Sequence, residues 1–205
     1  MATASKAALR EQLLTARGRV SDAVRAAEAR MLGEQLDALA GGQVPSGGTI
    51  CAYVPVKTEP GSIEMLDLLL RRSVRVLLPV ALTSAEDVPL PLRWGEYRPD
   101  TLTRGRWGML EPAEPWLPSS ALAEAGLVLV PALAVDRTGV RLGRGRGFYD
   151  RSLPNRDPRA WLIAMVRDEE LVDELPADPH DVPMTHAITP RRGVIALSLN
   201  SHTGE

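Results

Sequence analysis

Four runs of the chain are apolar with scarcely a break: residues 49–54 (TICAYV), 74–80 (VRVLLPV), 127–131 (LVLVP) and 161–166 (WLIAMV). A strand with one wet face alternates apolar and polar side chains. Runs that do not alternate are buried on both faces, as in parallel strands with helices above and below. The segments between the runs fit that scheme. Over residues 5–40, Leu9, Leu13, Val20, Val24, Ala27 and Met31 recur at helical spacing. Gly18 and Ser21 mark a break, with Ser21 placed to cap a second helix. Ser62 is placed to cap a helix over 63–72, residues 169–175 read as a short helix, and 193–199 (GVIALSL) read as a last strand. Residues 81–126 are proline-rich, hold three of the four tryptophans, and predict short antiparallel strands near 90–97 and 103–109. The expected fold is therefore α/β: a mostly parallel open sheet flanked by helices on both faces, with a few short antiparallel strands, in three α/β/α layers. A single domain is expected over 1–200, with a frayed tail at 201–205.

Composition narrows the function classes. The chain has 205 residues, 44% of them hydrophobic, enough for a real core. A net charge of −2 argues against a nucleic-acid partner outside a local patch. The lone cysteine, Cys51, lies in an apolar context and reads as core. Charges at Lys6, Arg10, Glu11 and Arg17 interrupt the N-terminal region, so neither a signal peptide nor a membrane span is expected there. A soluble, cytoplasmic, monomeric protein acting on small molecules is the expectation.

In open α/β sheets ligands sit at the carboxyl ends of strands. Three polar clusters follow strands here: Lys57-Thr58-Glu59, Asp136 with the glycine-rich segment beyond it, and Arg167-Asp168. The glycine-rich segment is the most pointed. Gly143, Gly145 and Gly147 alternate with Arg144 and Arg146, followed by Phe148-Tyr149-Asp150-Arg151. Phe148 stands where the dinucleotide fingerprint needs its third glycine, and Gly-Lys-Ser/Thr is absent, so neither familiar phosphate loop is present. What remains is an anion nest ahead of a helix start, with Arg141, Arg144, Arg146 and Arg151 to neutralise a polyphosphate. Asp150 fits such a site if a divalent cation bridges it to phosphate; equally, it pairs with a neighbouring arginine or stabilises the helix start. An RNA-binding use of the Arg-Gly-Phe segment is the rival reading.

The stretch from Val130-Pro131-Ala132-Leu133-Ala134-Val135-Asp136 through Gly139 to Arg141-Leu142-Gly143-Arg144-Gly145-Arg146-Gly147-Phe148-Tyr149-Asp150-Arg151 resembles the central signature of the 5-formyltetrahydrofolate cyclo-ligase, or methenyltetrahydrofolate synthetase, family. Weaker landmarks follow the family's order: Lys6-Ala7-Ala8-Leu9-Arg10, Tyr53-Val54-Pro55 with Glu59, Trp107 to Pro112, Leu175-Pro176 and His180-Asp181. Departures are Ala132 for a usual glycine, Val135 for phenylalanine, Phe148 for the first of two tyrosines, Glu170 where glutamine is common, and arginine at 144 and 146.

The resemblance implies ATP-dependent cyclisation of 5-formyltetrahydrofolate, with Mg²⁺ as cofactor. Lys6, Arg10, Arg141, Gly143, Arg144, Gly145, Arg146, Gly147, Phe148, Tyr149 and Arg151 are implied to bind ATP. Val54, Glu59, Trp107, Gly147, Phe148 and Tyr149 are implied to bind the folate, Asp150 and Asp181 the metal. Catalytic assistance falls to Arg144, Arg146, Arg151 and Tyr149. Read bare, Lys6 and Arg10 are a solvated helix face, Glu59 a loop charge, Val54 and Trp107 core, and Asp181 a turn residue. His180 and His186 read as structural or exposed. A same-fold enzyme using ATP or a sugar phosphate on another substrate is a further reading.

Overall fold

The computed structural model describes residues 5–179 and 181–198; His180 and the tail at 201–205 lie outside them. Its strands are β1 (Thr49–Cys51), β2 (Arg75–Val80), β3 (Arg93–Glu96), β4 (Thr103–Arg104), β5 (Leu110–Glu111), β6 (Ala125–Pro131), β7 (Ala134–Asp136), β8 (Arg141–Leu142), β9 (Trp161–Met165), β10 (Leu171–Val172), β11 (His186–Thr189) and β12 (Gly193–Ala196). Its α-helices are α1 (Lys6–Gly18), α2 (Asp22–Gln43), α3 (Glu64–Arg71) and α4 (Phe148–Ser152). Ser21 caps α2 by accepting a hydrogen bond from the Val24 amide.

Seven strands form one sheet in the order β12-β11-β9-β6-β1-β2-β3. The inner pairings are parallel, and β3 and β12 close the edges antiparallel. The unbroken apolar runs are explained by burial on both faces. Ile50, Leu127, Leu129, Ile163 and Ile188 pack beneath Leu32 and Leu36 of α2 and Met65, Leu66 and Leu69 of α3. Their neighbours Cys51, Val128, Val130, Leu162 and Ala164 face the other way, onto Trp94, Ala121, Leu122 and Leu153. Helices thus cover both faces unequally. Among the described residues the second face carries α4 and 3-10 turns at Ser119–Glu124 and Leu153–Asn155. From β1 the chain runs outward to β2 and later returns on β1's other side as β6. The strand order therefore reverses between β1 and β6, and their carboxyl ends open the crevice where such sheets bind ligands.

Several elements differ from expectation. The helix expected at 169–175 is a 3-10 turn, Asp168–Glu170, running straight into β10. Ser62 does not cap α3. The helix starts at Glu64 with Ile63 as its uncapped boundary, and Ser62 instead hydrogen-bonds the Glu64 carboxylate and lowers its pKa. The last strand stops at Ala196. β11 has no counterpart in the sequence reading. Nor has the three-stranded sheet β10-β7-β8, which packs Ala134, Leu142 and Leu175 against Leu9 and Leu13 of α1. Asp136, expected in a loop, ends β7 fully buried and organises the turn. Its carboxylate accepts from the amides of Thr138, Val140 and Leu175 and from the Thr138 hydroxyl.

Candidate active site

The crevice between β1 and β6 is bordered by the β1–α3 loop on one side and the glycine-rich segment on the other. That segment leaves β8, turns through Gly145 and Gly147, both at positive φ, and enters α4. Gly147 is required locally: its φ is 75°, and a Cβ there would stand 2.4 Å from the Arg151 Nη1. α4 has five residues, so its own dipole is small and side chains carry the charge.

α1 lies across the segment. The Arg10 Nε donates to the Gly143 carbonyl at 2.9 Å, and a Cβ on Gly145 would meet the Arg10 guanidinium at 3.2 Å. One turn earlier on that face, Lys6 Nζ bonds Asp178 Oδ2 at 2.6 Å and Asp181 Oδ2 at 2.8 Å. Burial works against the Lys6 charge, but these two carboxylates hold its pKa above the ordinary lysine value.

The other implied residues form a connected web. Arg144 Nε donates to Glu59 Oε1 at 2.9 Å, while Glu59 Oε2 accepts from the Val56 amide at 3.0 Å. The Arg146 guanidinium sits 5.1 Å from the Trp107 ring centroid, and Trp107 meets Phe148 edge-on at 5.6 Å. Arg141 bonds Asp150 Oδ1 at 2.5 Å and the Pro131 carbonyl at 3.2 Å, and lies over the Tyr149 ring. Arg151 donates to the Gly147 carbonyl at 3.1 Å. Val54 is half-buried against the α2–α3 core, as its bare reading had it. The Tyr149 hydroxyl is buried without a hydrogen-bond partner among the described residues, and burial keeps the phenol protonated far above its usual range.

Each of three carboxylates implied to bind metal or folate is therefore paired with a cation implied to bind ATP: Asp181 with Lys6, Asp150 with Arg141, and Glu59 with Arg144. Among the described residues no three acidic, histidine or cysteine side chains gather into a metal-holding group. Two carboxylates with hard oxygens do suit Mg²⁺, which completes its shell with phosphate oxygens and water.

Sequence reasoning missed a buried network beneath this surface. Arg17, 1% exposed, makes two bonds of 2.7 Å to Glu170 and a third to the Ala132 carbonyl, just past β6. Glu170 also accepts from the Arg167 amide, and the Arg167 guanidinium pairs with Glu28. Burial disfavours the Arg17 charge, yet its bonds to Glu170 leave its pKa raised. The signal was present: Arg17 continues the Leu9–Leu13 spacing, on the stripe that faces inward. A cavity of about 210 Å³ adjoins Glu59, lined also by Arg25, Glu28, Lys57 and Arg167. His186 stacks on Trp161 at 3.8 Å, and burial lowers its pKa. No helix among the described residues is long and apolar enough to cross a membrane.

Comparison with known proteins gives a consistent result. The model of the 5-formyltetrahydrofolate cyclo-ligase family matches residues 2–190. A 5-formyltetrahydrofolate cyclo-ligase of Mycolicibacterium smegmatis is 55% identical over 96% of this chain and 100% of its own length. One from Escherichia coli is 29% identical over 70% of this chain and 79% of its own. The fold is shared with the 5,10-methenyltetrahydrofolate synthetase of Aquifex aeolicus, at a TM-score of 0.71 and 24% identity, with 98% of each chain covered.

Proposed function

The chain belongs to the 5-formyltetrahydrofolate cyclo-ligase family, and from that membership we propose that it closes 5-formyltetrahydrofolate to 5,10-methenyltetrahydrofolate using ATP, releasing ADP and phosphate. The observation that carries the ATP-dependent reading is the set of three cross-paired ions. ATP takes up Lys6, Arg141 and Arg144, and this frees Asp181, Asp150 and Glu59 for metal and folate. The same pairing favours a nucleotide over RNA, because each of these cations is matched by a carboxylate of the chain and does not stand in an open basic surface.

The chemistry needs phosphoryl transfer. A formamide carbon is a weak electrophile and its oxygen a poor leaving group. When the formyl oxygen attacks the γ-phosphate, ADP leaves and an imidate phosphate forms. The neighbouring secondary nitrogen then attacks the activated carbon, the ring closes and phosphate departs. No protein nucleophile is required; positioning and charge neutralisation suffice. Lys6, Arg10, Arg141, Arg144, Arg146 and Arg151 neutralise phosphate oxygens, and Gly143, Gly145 and Gly147 let the backbone come close. Glu59 accepts N–H donors of the pteridine, with Trp107 and Val54 as walls and Tyr149 beside them. Asp150 and Asp181 would hold Mg²⁺, which when bound neutralises phosphate charge.

The test is direct. Purified protein given 5-formyltetrahydrofolate, Mg²⁺ and ATP should gain near-ultraviolet methenyl absorbance, and omitting ATP should abolish the gain. Asp150→Asn should lower kcat at least ten-fold with the fold intact. Folded wild-type protein without an ATP-dependent signal would refute the proposal.

A further inference from the structure

One buried group beside this site is used neither by the fold nor by the mechanism above. Tyr53 lies two residues past the end of β1, at the reversal of strand order, and is 4% exposed. Its ring packs with Ala52, Met165 and the α2–α3 core. Its hydroxyl has no hydrogen-bond partner among the described residues. A buried hydroxyl left unpaired costs as much as the hydrogen bond it fails to make, so native folds seldom keep one without a use. The charged and polar groups acting on this phenol from the surrounding elements are Glu59, Tyr149, Arg17 and Glu170. Burial first, and the Glu59 charge second, push its pKa well above the usual tyrosine range. The hydroxyl is therefore protonated and available as a donor. The Tyr149 hydroxyl too is buried without a partner among the described residues.

We infer that Tyr53 is a substrate-binding residue whose hydroxyl donates to the C4 carbonyl oxygen of the pteridine. The inference rests on the folate reading of Glu59. A carboxylate that accepts from the 2-amino group and N3–H of the ring has the C4 carbonyl as the adjoining acceptor. Glu59 is closed off by Arg144 in this conformation, and its carboxylate becomes available when Arg144 turns to phosphate. Glu59 thus reads the donors of the pteridine edge and Tyr53 its acceptor.

The variant Tyr53→Phe separates this role from packing, since it removes one oxygen that bonds nothing in the protein. Its Tm should match or exceed that of wild type. Its Kd for 5-formyltetrahydrofolate, measured by calorimetry without ATP, should rise about three- to ten-fold, the size of one neutral hydrogen bond. KM for the folate should rise in step, with KM for ATP unchanged. A variant Kd within two-fold of wild type overturns the assignment whatever Tm does, as does an equal loss of affinity for ATP. Wild-type protein that fails to bind 5-formyltetrahydrofolate overturns the proposed function along with it; binding by wild type and variant alike overturns Tyr53 alone.

Discussion

Glu170 stands where the family often carries glutamine, and its surroundings give the acid a purpose. It holds Arg17 with two bonds and takes the Arg167 amide in a site 3% exposed. With Glu28 on Arg167, two cations and two anions balance under the crevice. Removing one partner of a buried pair leaves an uncompensated charge, so Glu170→Ala should cost about 3–5 kcal/mol. Glu170→Gln keeps one acceptor for Arg17 and should cost about 1.5–3 kcal/mol, one charge-assisted bond. Denaturant titration of both variants checks the ranking; equal losses would mean that the acceptor kept by glutamine contributes nothing and that the lost charge carries the whole effect. The same residues mark the limit of single-position reading. Glu59 and Asp150 could be picked out because a loop beside glycines and arginines advertises ligand chemistry. Arg17 was marked only by its place on the Leu9–Leu13 stripe, a spacing that turns it inward without saying what it meets. Its partner lies 153 residues away.

The glycine-rich segment shows what two departures from the family pattern do as an element. Arg144 covers Glu59 and Arg146 covers the face of Trp107, so the two arginines occupy the residues implied to receive folate. The Arg144 side chain is 41% exposed, which limits the worth of its pair to about 1 kcal/mol or less. Arg144→Ala should therefore tighten folate binding by up to about five-fold without ATP. It should weaken ATP binding about ten-fold or more, by loss of a charge-assisted phosphate contact. Opposite signs are the diagnostic, read by calorimetry with each ligand alone; two changes in the same direction would sink this account. The long elements were legible because periodicity accumulates over many residues: α1, α2 and the cores of β1, β2, β6 and β9 fall where the apolar pattern put them. Two- and three-residue strands such as β7, β8 and β10 carry no such pattern. Their pairing is fixed by the Asp136 carboxylate and by α1 packing over them, both long-range facts.

At the scale of the molecule, α1 is the part that turns a sheet with a crevice into a closed site. It packs Leu9 and Leu13 on the small sheet, buries Arg17 beneath the β6 end, and sets Arg10 over the glycine-rich segment and Lys6 against Asp178 and Asp181. Segments more than 130 residues apart are joined by these few contacts. Sequence order alone could match Lys6 and Arg10 to a family landmark but not show that they lie against Gly143 and Asp181. A ligand that bridges the same segments should stabilise the whole fold by linkage. At a free concentration of 100 times Kd, ATP with Mg²⁺ should add about 2.7 kcal/mol. For a chain of this length that corresponds to a rise in Tm of roughly 5–10 °C. Lys6→Ala and Arg10→Ala each remove a bridging cation, so each should cut the shift at fixed ATP by at least half. Without ligand their Tm should stay close to wild type, since Lys6 and Arg10 are only half-buried. Scanning calorimetry across an ATP series decides it. A full ATP shift in both variants would show that the nucleotide is held by the segment without α1.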